Sequence, residues 1–188
     1  MRTIAKQLAV VTALAGLAAC GATHTAADAP TSEQEAQPVA VVTGTPAVRS
    51  GWTSCEVDAP MEFAGPPPAG LTMPRLGAGF PAVAAVHCQL EPTRRTDGGE
   101  DLVLTEGRAT DLTALLAALR MPDETSTTDA CTLEMPWVPN LLLLDAQDRW
   151  IRPGLPADGC GKPRAETLQA VRGLRLTTVS AKVVRATG

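Results

Sequence analysis

Four cysteines, Cys55, Cys88, Cys131 and Cys160, follow an apolar leader that itself ends in a fifth, Cys20. A chain exported to an oxidising compartment with an even set of cysteines is read as a disulfide framework. Two bridges then constrain every fold open to it. Three connectivities are possible. Cys55–Cys88 with Cys131–Cys160 is favoured, because each bridge closes a local unit. Each would stabilise by about 3–4 kcal/mol on the chain-entropy argument. Zinc is the rival reading, but there is no C-x-x-C knuckle and the spacings match neither ribbon nor finger. A redox role wants close, paired cysteines near a helix start. Cys160 precedes an expected helix but has no partner two or three residues away.

The leader explains the export. Arg2 and Lys6 form a positive start, and Leu8–Ala19 is an apolar stretch interrupted by Thr12. It is too short to span a bilayer and suits a signal core. The sequence Leu17-Ala18-Ala19-Cys20-Gly21 resembles the lipobox of bacterial lipoproteins. The resemblance implies a diacylglyceryl group on the Cys20 sulfur and cleavage between Ala19 and Cys20. Two acyl chains on one thiol meet the requirement for stable anchoring at the outer face of the cell membrane. Thirteen of the 16 basic residues are Arg, the bias of a GC-rich genome.

Charge excludes a class of partner. Sixteen basic residues against 20 acidic give a formal charge of −4. No basic excess exists to neutralise phosphates, so nucleic acid is not expected as a partner. Loss of Arg2 and Lys6 makes the mature chain more acidic. It should stand off anionic headgroups on a tether rather than lie on them. Residues 21–50 suit that tether: they are rich in Ala, Thr, Pro, Glu and Gln and hold no aromatic, Leu or Ile. Such a segment buries too little apolar surface to offset its ordering entropy. His24 needs no role there, and Val39–Val42 is a candidate short strand. Residues 51–188, starting at Gly51-Trp52, read as one domain of a size that supports a single core. Aromatics are only 3% of the chain, so that core must be aliphatic.

The pattern predicts an α+β domain, an antiparallel or mixed β-sheet with two α-helices packed on it and two disulfides. Leu112, Leu115, Leu116 and Leu119 make a helical stripe over 111–120, with Thr110 or Asp111 as N-cap and Met121-Pro122 as the stop. A second helix runs from Pro163 or Arg164 to about Arg172, with Pro163 at its first position and Gly173 just past its end. Leu168, Val171 and Leu174 should face inward. Strands are expected at 83–90, with Val86, Cys88 and Leu90 on one face, and at 102–105. Leu141–Leu144 reads as a strand covered on both faces. It turns at Asp145–Asp148, with Asp148 best placed for positive φ, and returns through Trp150. Residues 177–185 form a last strand, with Val179, Ala181 and Val183 on one face. The run from Gly65 through Pro66, Pro67 and Pro68 to Gly70 reads as a stiff surface segment.

Two further resemblances concern the C-terminal half of the chain. The stretch from Pro139 to Pro163 joins an apolar strand, a turn at Asp148-Arg149, the step Arg152-Pro153, and Asp158-Gly159-Cys160-Gly161. It resembles a segment of uncharacterised secreted lipoproteins of high-GC Gram-positive bacteria. Asp148 stands where that family usually has Gly, which implies a more strained turn. The order Asp111–Leu116, Cys131, apolar strand, turn, Trp150, Cys160 is similar to the subtilisin-inhibitor family. That family carries two disulfides on a sheet-plus-helix fold. The likeness implies a protease-binding loop just after Cys131, around Leu133-Glu134. The family's Gly-Thr-His-Pro signature is absent, and the first cysteine pair is spaced differently.

Catalytic chemistry has little to draw on. Only His24 and His87 exist, and His87 should point away from the Cys88 face of its strand. A Ser-His apparatus would need Ser54 or Ser180, and neither lies in a G-x-S-x-G elbow. Glu62, Asp97, Glu100, Asp101, Glu106, Asp145, Asp148 and Asp158 fall in or near loops, so a carboxylate pair for a hydrolase acting on cell-wall material is conceivable. Sugar platforms would have to come from Trp52, Trp137 and Trp150. No catalytic residue, cofactor or metal is expected. The leading expectation is a lipid-anchored extracytoplasmic binding module with a cell-surface protein or cell-wall partner. A secreted-type protease inhibitor and a carboxylate hydrolase are the alternatives.

Overall fold

A computed structural model describes residues 44–61, 69–127 and 129–187, all within one compact unit. Cys20, His24, Val39–Val42 and Glu62 lie outside the described residues, as does most of the proline run. Five strands, β1 (Ala84–Arg94), β2 (Glu100–Ala109), β3 (Asn140–Leu144), β4 (Trp150–Ile151) and β5 (Thr177–Thr187), form one sheet in the order β4-β3-β1-β2-β5. Every neighbouring pair is antiparallel. The helices are α1 (Cys55–Asp58), α2 (Thr113–Leu119) and α3 (Ala165–Arg172). The protein is α+β with two disulfides, Cys55–Cys88 and Cys131–Cys160.

The sheet has a core on each face. On one face Leu112, Leu115 and Leu119 of the helical stripe pack with Val171 of α3 onto Ala85, Leu141, Leu143 and Ile151. On the other, Val86, Cys88, Leu104, Leu142, Leu144 and Trp150 are covered by Cys55 and Ala59, with Trp52 and Met61 at the margin. β3 is buried at every position because its alternate leucines serve both cores. The second cover is thin, a four-residue helix and its flanks, too little to hold itself in place by burial. It is stapled by Cys55–Cys88. It is also tied by Glu106, which accepts from the Cys55 amide at 2.9 Å and from Trp52 Nε1 at 3.2 Å.

Several local expectations change. The folded region extends before Gly51: Arg49 exchanges backbone hydrogen bonds with Trp150 at 2.9 and 2.8 Å, extending the β4 edge. Neither Thr110 nor Asp111 is the N-cap of α2. The cap residue is Leu112, and Asp111 instead accepts from Thr113 N across a local turn. Pro163 pairs with Ala157 in an isolated bridge, and α3 starts at Ala165. Gly173 caps α3 at φ −80°, so its freedom to take positive φ is not used. Thr167, not Leu168, joins Val171 on the fully buried face of α3. The β3–β4 turn does put Asp148 at φ 57°. β5 is bulged at Val179 and again at Val184, so Val179 drops out of the alternation that keeps Ala181 and Val183 together. This edge strand is exposed along 177–184.

Candidate functional site

The disulfide Cys131–Cys160 anchors the most exposed apolar segment of the described chain. Its platform is the turn from Ala157 to Lys162. The Asp158 carboxylate accepts from the amides of Cys160 and Lys162, both at 2.9 Å. Gly161 closes the turn at φ 75°, a conformation that needs glycine. Asp123 fixes the platform from below. It accepts from the Ala157 amide at 2.7 Å and pairs with the Arg75 guanidinium at 2.9 Å. Partial burial acts to raise the Asp123 pKa, but these two donors and the charge of Arg164 hold it below the usual carboxylate range. Asp123 therefore stays ionised beneath the turn at neutral pH.

From Cys131 the chain leaves this platform in no regular structure until β3. Lys162 Nζ reaches Thr132 Oγ1 at 2.5 Å. Leu133 is 104% exposed, Met135 76% and Trp137 44%. Alternate apolar side chains thus project into solvent, where a folding chain would bury them. The far end is fixed as firmly as the start. Val138 is buried in the helical-face core, and Asn140 donates to the Ala59 carbonyl at 3.2 Å. Trp137 is held edge-on over His87 at 6.1 Å between centroids, and the Arg172 guanidinium lies 5.3 Å from its ring. His87 is buried, and burial lowers its pKa. It is neutral at pH 7 and does not repel Arg172 across the tryptophan.

The catalytic candidates go elsewhere. Ser54 caps α1 by accepting from Val57 N. Ser180 pairs with Glu106, which pairs with Cys88, so it sits on the sheet face opposite His87. Asp97 and Asp101 meet, but around Arg95 at the β1–β2 hairpin tip. The Gly99 amide and Arg95 lower the pKa of Asp97, the reverse of what a proton donor needs. Glu100 starts β2, and Asp148 makes its turn. Asp145 is buried, which acts to raise its pKa, yet bonds from Gln147 and Arg149 overcome this and keep it charged. Trp52 and Trp150 pack edge to face within the second core, not as a sugar platform. Among the described residues no three His, Cys, Asp or Glu side chains cluster as a metal site.

Leu133 and Glu134 lie where the inhibitor likeness implied a contact loop. Met135 and Trp137 were not singled out as contact residues, although their i, i+2 spacing from Leu133 is visible in the sequence. No known family, curated protein or solved structure shows significant similarity to this chain.

Proposed function

We propose that this chain is a lipid-anchored extracytoplasmic binding protein that presents the Cys131–Trp137 loop to a protease of the secreted type and blocks it. The observation that carries the reading is Leu133, fully exposed on a segment tied down at both ends. Protease clefts take substrate as extended chain. A loop already tied down at both ends loses less conformational entropy when it enters one, and that preorganisation converts contact into affinity. Leu133 offers an unbranched-at-Cβ apolar side chain to a primary pocket, while Met135 and Trp137 offer further apolar contact at the rim. The carboxylate-hydrolase alternative has no comparable support, because its described candidate residues are engaged in turns, ion pairs, strands and the stapled cover.

The anchor rests on Arg2, Lys6, the apolar run to Ala19 and the lipobox at Cys20. It places the inhibitor at the outer membrane face, where it would meet proteases approaching the cell. Titration of the full chain against subtilisin-like and trypsin-like proteases tests the function. Inhibition of the subtilisin-like enzyme at micromolar chain or below is expected, with a loss of at least tenfold on Leu133→Asp. Absence of inhibition at micromolar chain ends the inhibitor reading. The intact mass of membrane-extracted protein tests the anchor: acyl groups on a chain starting at Cys20 are expected, and an unlipidated mass overturns it.

A further inference from the structure

A second site of different chemistry lies at the β4 edge, and it uses none of the loop residues. A cavity of about 270 Å³ there is lined by Ala47, Arg49, Asp58, Met73, Trp150 and Arg152 among others. Arg152 is half-buried, and among the described residues no hydrogen bond or ion pair engages its guanidinium. Its five N–H donors thus border the cavity and stay open to an acceptor that enters it. Arg49 stacks on Trp150 at 5.1 Å and has no carboxylate partner among the described residues either. The neighbouring carboxylate, Asp58, accepts through Oδ2 from the amides of Thr53 at 2.6 Å and Ser54 at 3.3 Å. The Trp150 indole N–H in the same wall is buried without an acceptor. Burial, and after it the charge of Arg49, lowers the Arg152 pKa.

We infer that this cavity is a binding site for a phosphate group, clamped between the guanidinium groups of Arg49 and Arg152. Two forked cations sharing one ligand call for an anion near −2, the charge of a phosphomonoester at neutral pH. Such a group supplies enough acceptor oxygens for both forks. The ligand is either a free phosphate or the headgroup of a phosphate-bearing lipid.

The experiment is a tryptophan-fluorescence melt of the full chain, in detergent with inorganic phosphate or sodium chloride at equal ionic strength. A parallel melt uses phosphatidylcholine vesicles with and without phosphatidic acid. Phosphate is expected to raise Tm saturably over chloride. Arg152→Gln should abolish that rise while leaving Tm in chloride unchanged or higher, because it removes a repelled, half-buried charge. A purely structural arginine would lower Tm in chloride when replaced. Arg49→Gln, at an exposed position, supplies the second variant and should also lose the rise. A response to phosphatidic acid vesicles alone assigns the headgroup as the source, and a response to inorganic phosphate assigns the free ligand. No response to either probe, or an equal response in the variants, overturns the site.

Discussion

Replacement of Glu106 by methionine tests how the second sheet face is held. Glu106 is only 5% exposed, and its carboxylate oxygens accept from the Cys55 amide and the Trp52 indole. Methionine keeps the length and volume and removes both acceptors. Cys55 is 1% exposed, so its N–H has no water to turn to. Loss of a hydrogen bond to a charged group at such a site costs about 1.5–3 kcal/mol. Trp52 is only half-buried and recovers a water, which limits its share to roughly 1 kcal/mol. Relief of the carboxylate's own burial offsets part of the sum, leaving a net loss of about 2–3 kcal/mol. In a domain of this size that lowers Tm by roughly 6–10 °C. Urea denaturation of the oxidised protein measures it, followed by the rate at which dithiothreitol opens Cys55–Cys88, which should rise as the cover loosens. A loss under 0.5 kcal/mol with an unchanged reduction rate would refute the reasoning and leave the disulfide alone as the fastener.

Three further substitutions probe separate features. Thr167→Val should stabilise the fold by about 1 kcal/mol in the same assay, because Thr167 is fully buried with an unpartnered hydroxyl and valine has its shape. Gly154→Ala should cost more than about 3 kcal/mol: the Met73 carbonyl oxygen lies 2.0 Å from where the new Cβ would stand, so the Arg75–Gly154 bridge must part. His87 has a folded pKa below its unfolded value, so the unfolded chain binds the extra proton. Its contribution is present above the unfolded value near 6.5 and is lost as pH falls below it. Stability measured from pH 7.5 to 5 should therefore decline, and His87→Leu should flatten that decline; an unchanged slope contradicts the assignment.

The parts of the fold legible in the sequence were those written in period and punctuation. The Leu112–Leu119 stripe, the Leu141–Leu144 run of β3 and the Asp148 turn each carry a local pattern that tertiary packing reinforces. The disulfide pairing followed from closing local units, and both bridges formed as expected. What the sequence hid was set by partners far along the chain. Nothing near Ser54 announces that residues 52–61 lid a sheet face, because the acceptor that holds them, Glu106, is 51 positions from Cys55. Arg49 joins the domain through β4, although its own neighbourhood reads as linker. The helix ends also slipped, since Pro163 found a bridge and Leu112 displaced the polar caps. The Leu133-Met135-Trp137 alternation would have read as a half-buried strand. In the structure residues 132–137 have no strand partner, and the anchors at Cys131 and Val138 leave the side chains outside.

The central claim is that the Cys131–Cys160 bridge holds the Leu133 segment ready for a protease cleft. The direct test titrates a subtilisin-like protease with the full chain and with the Cys131→Ala, Cys160→Ala double variant, under conditions where both remain folded by circular dichroism. The wild-type chain should inhibit at near-stoichiometric ratio. The variant should inhibit at least a hundredfold more weakly and be cut after Leu133. Equal inhibition by the two chains, or none by either, would contradict the account.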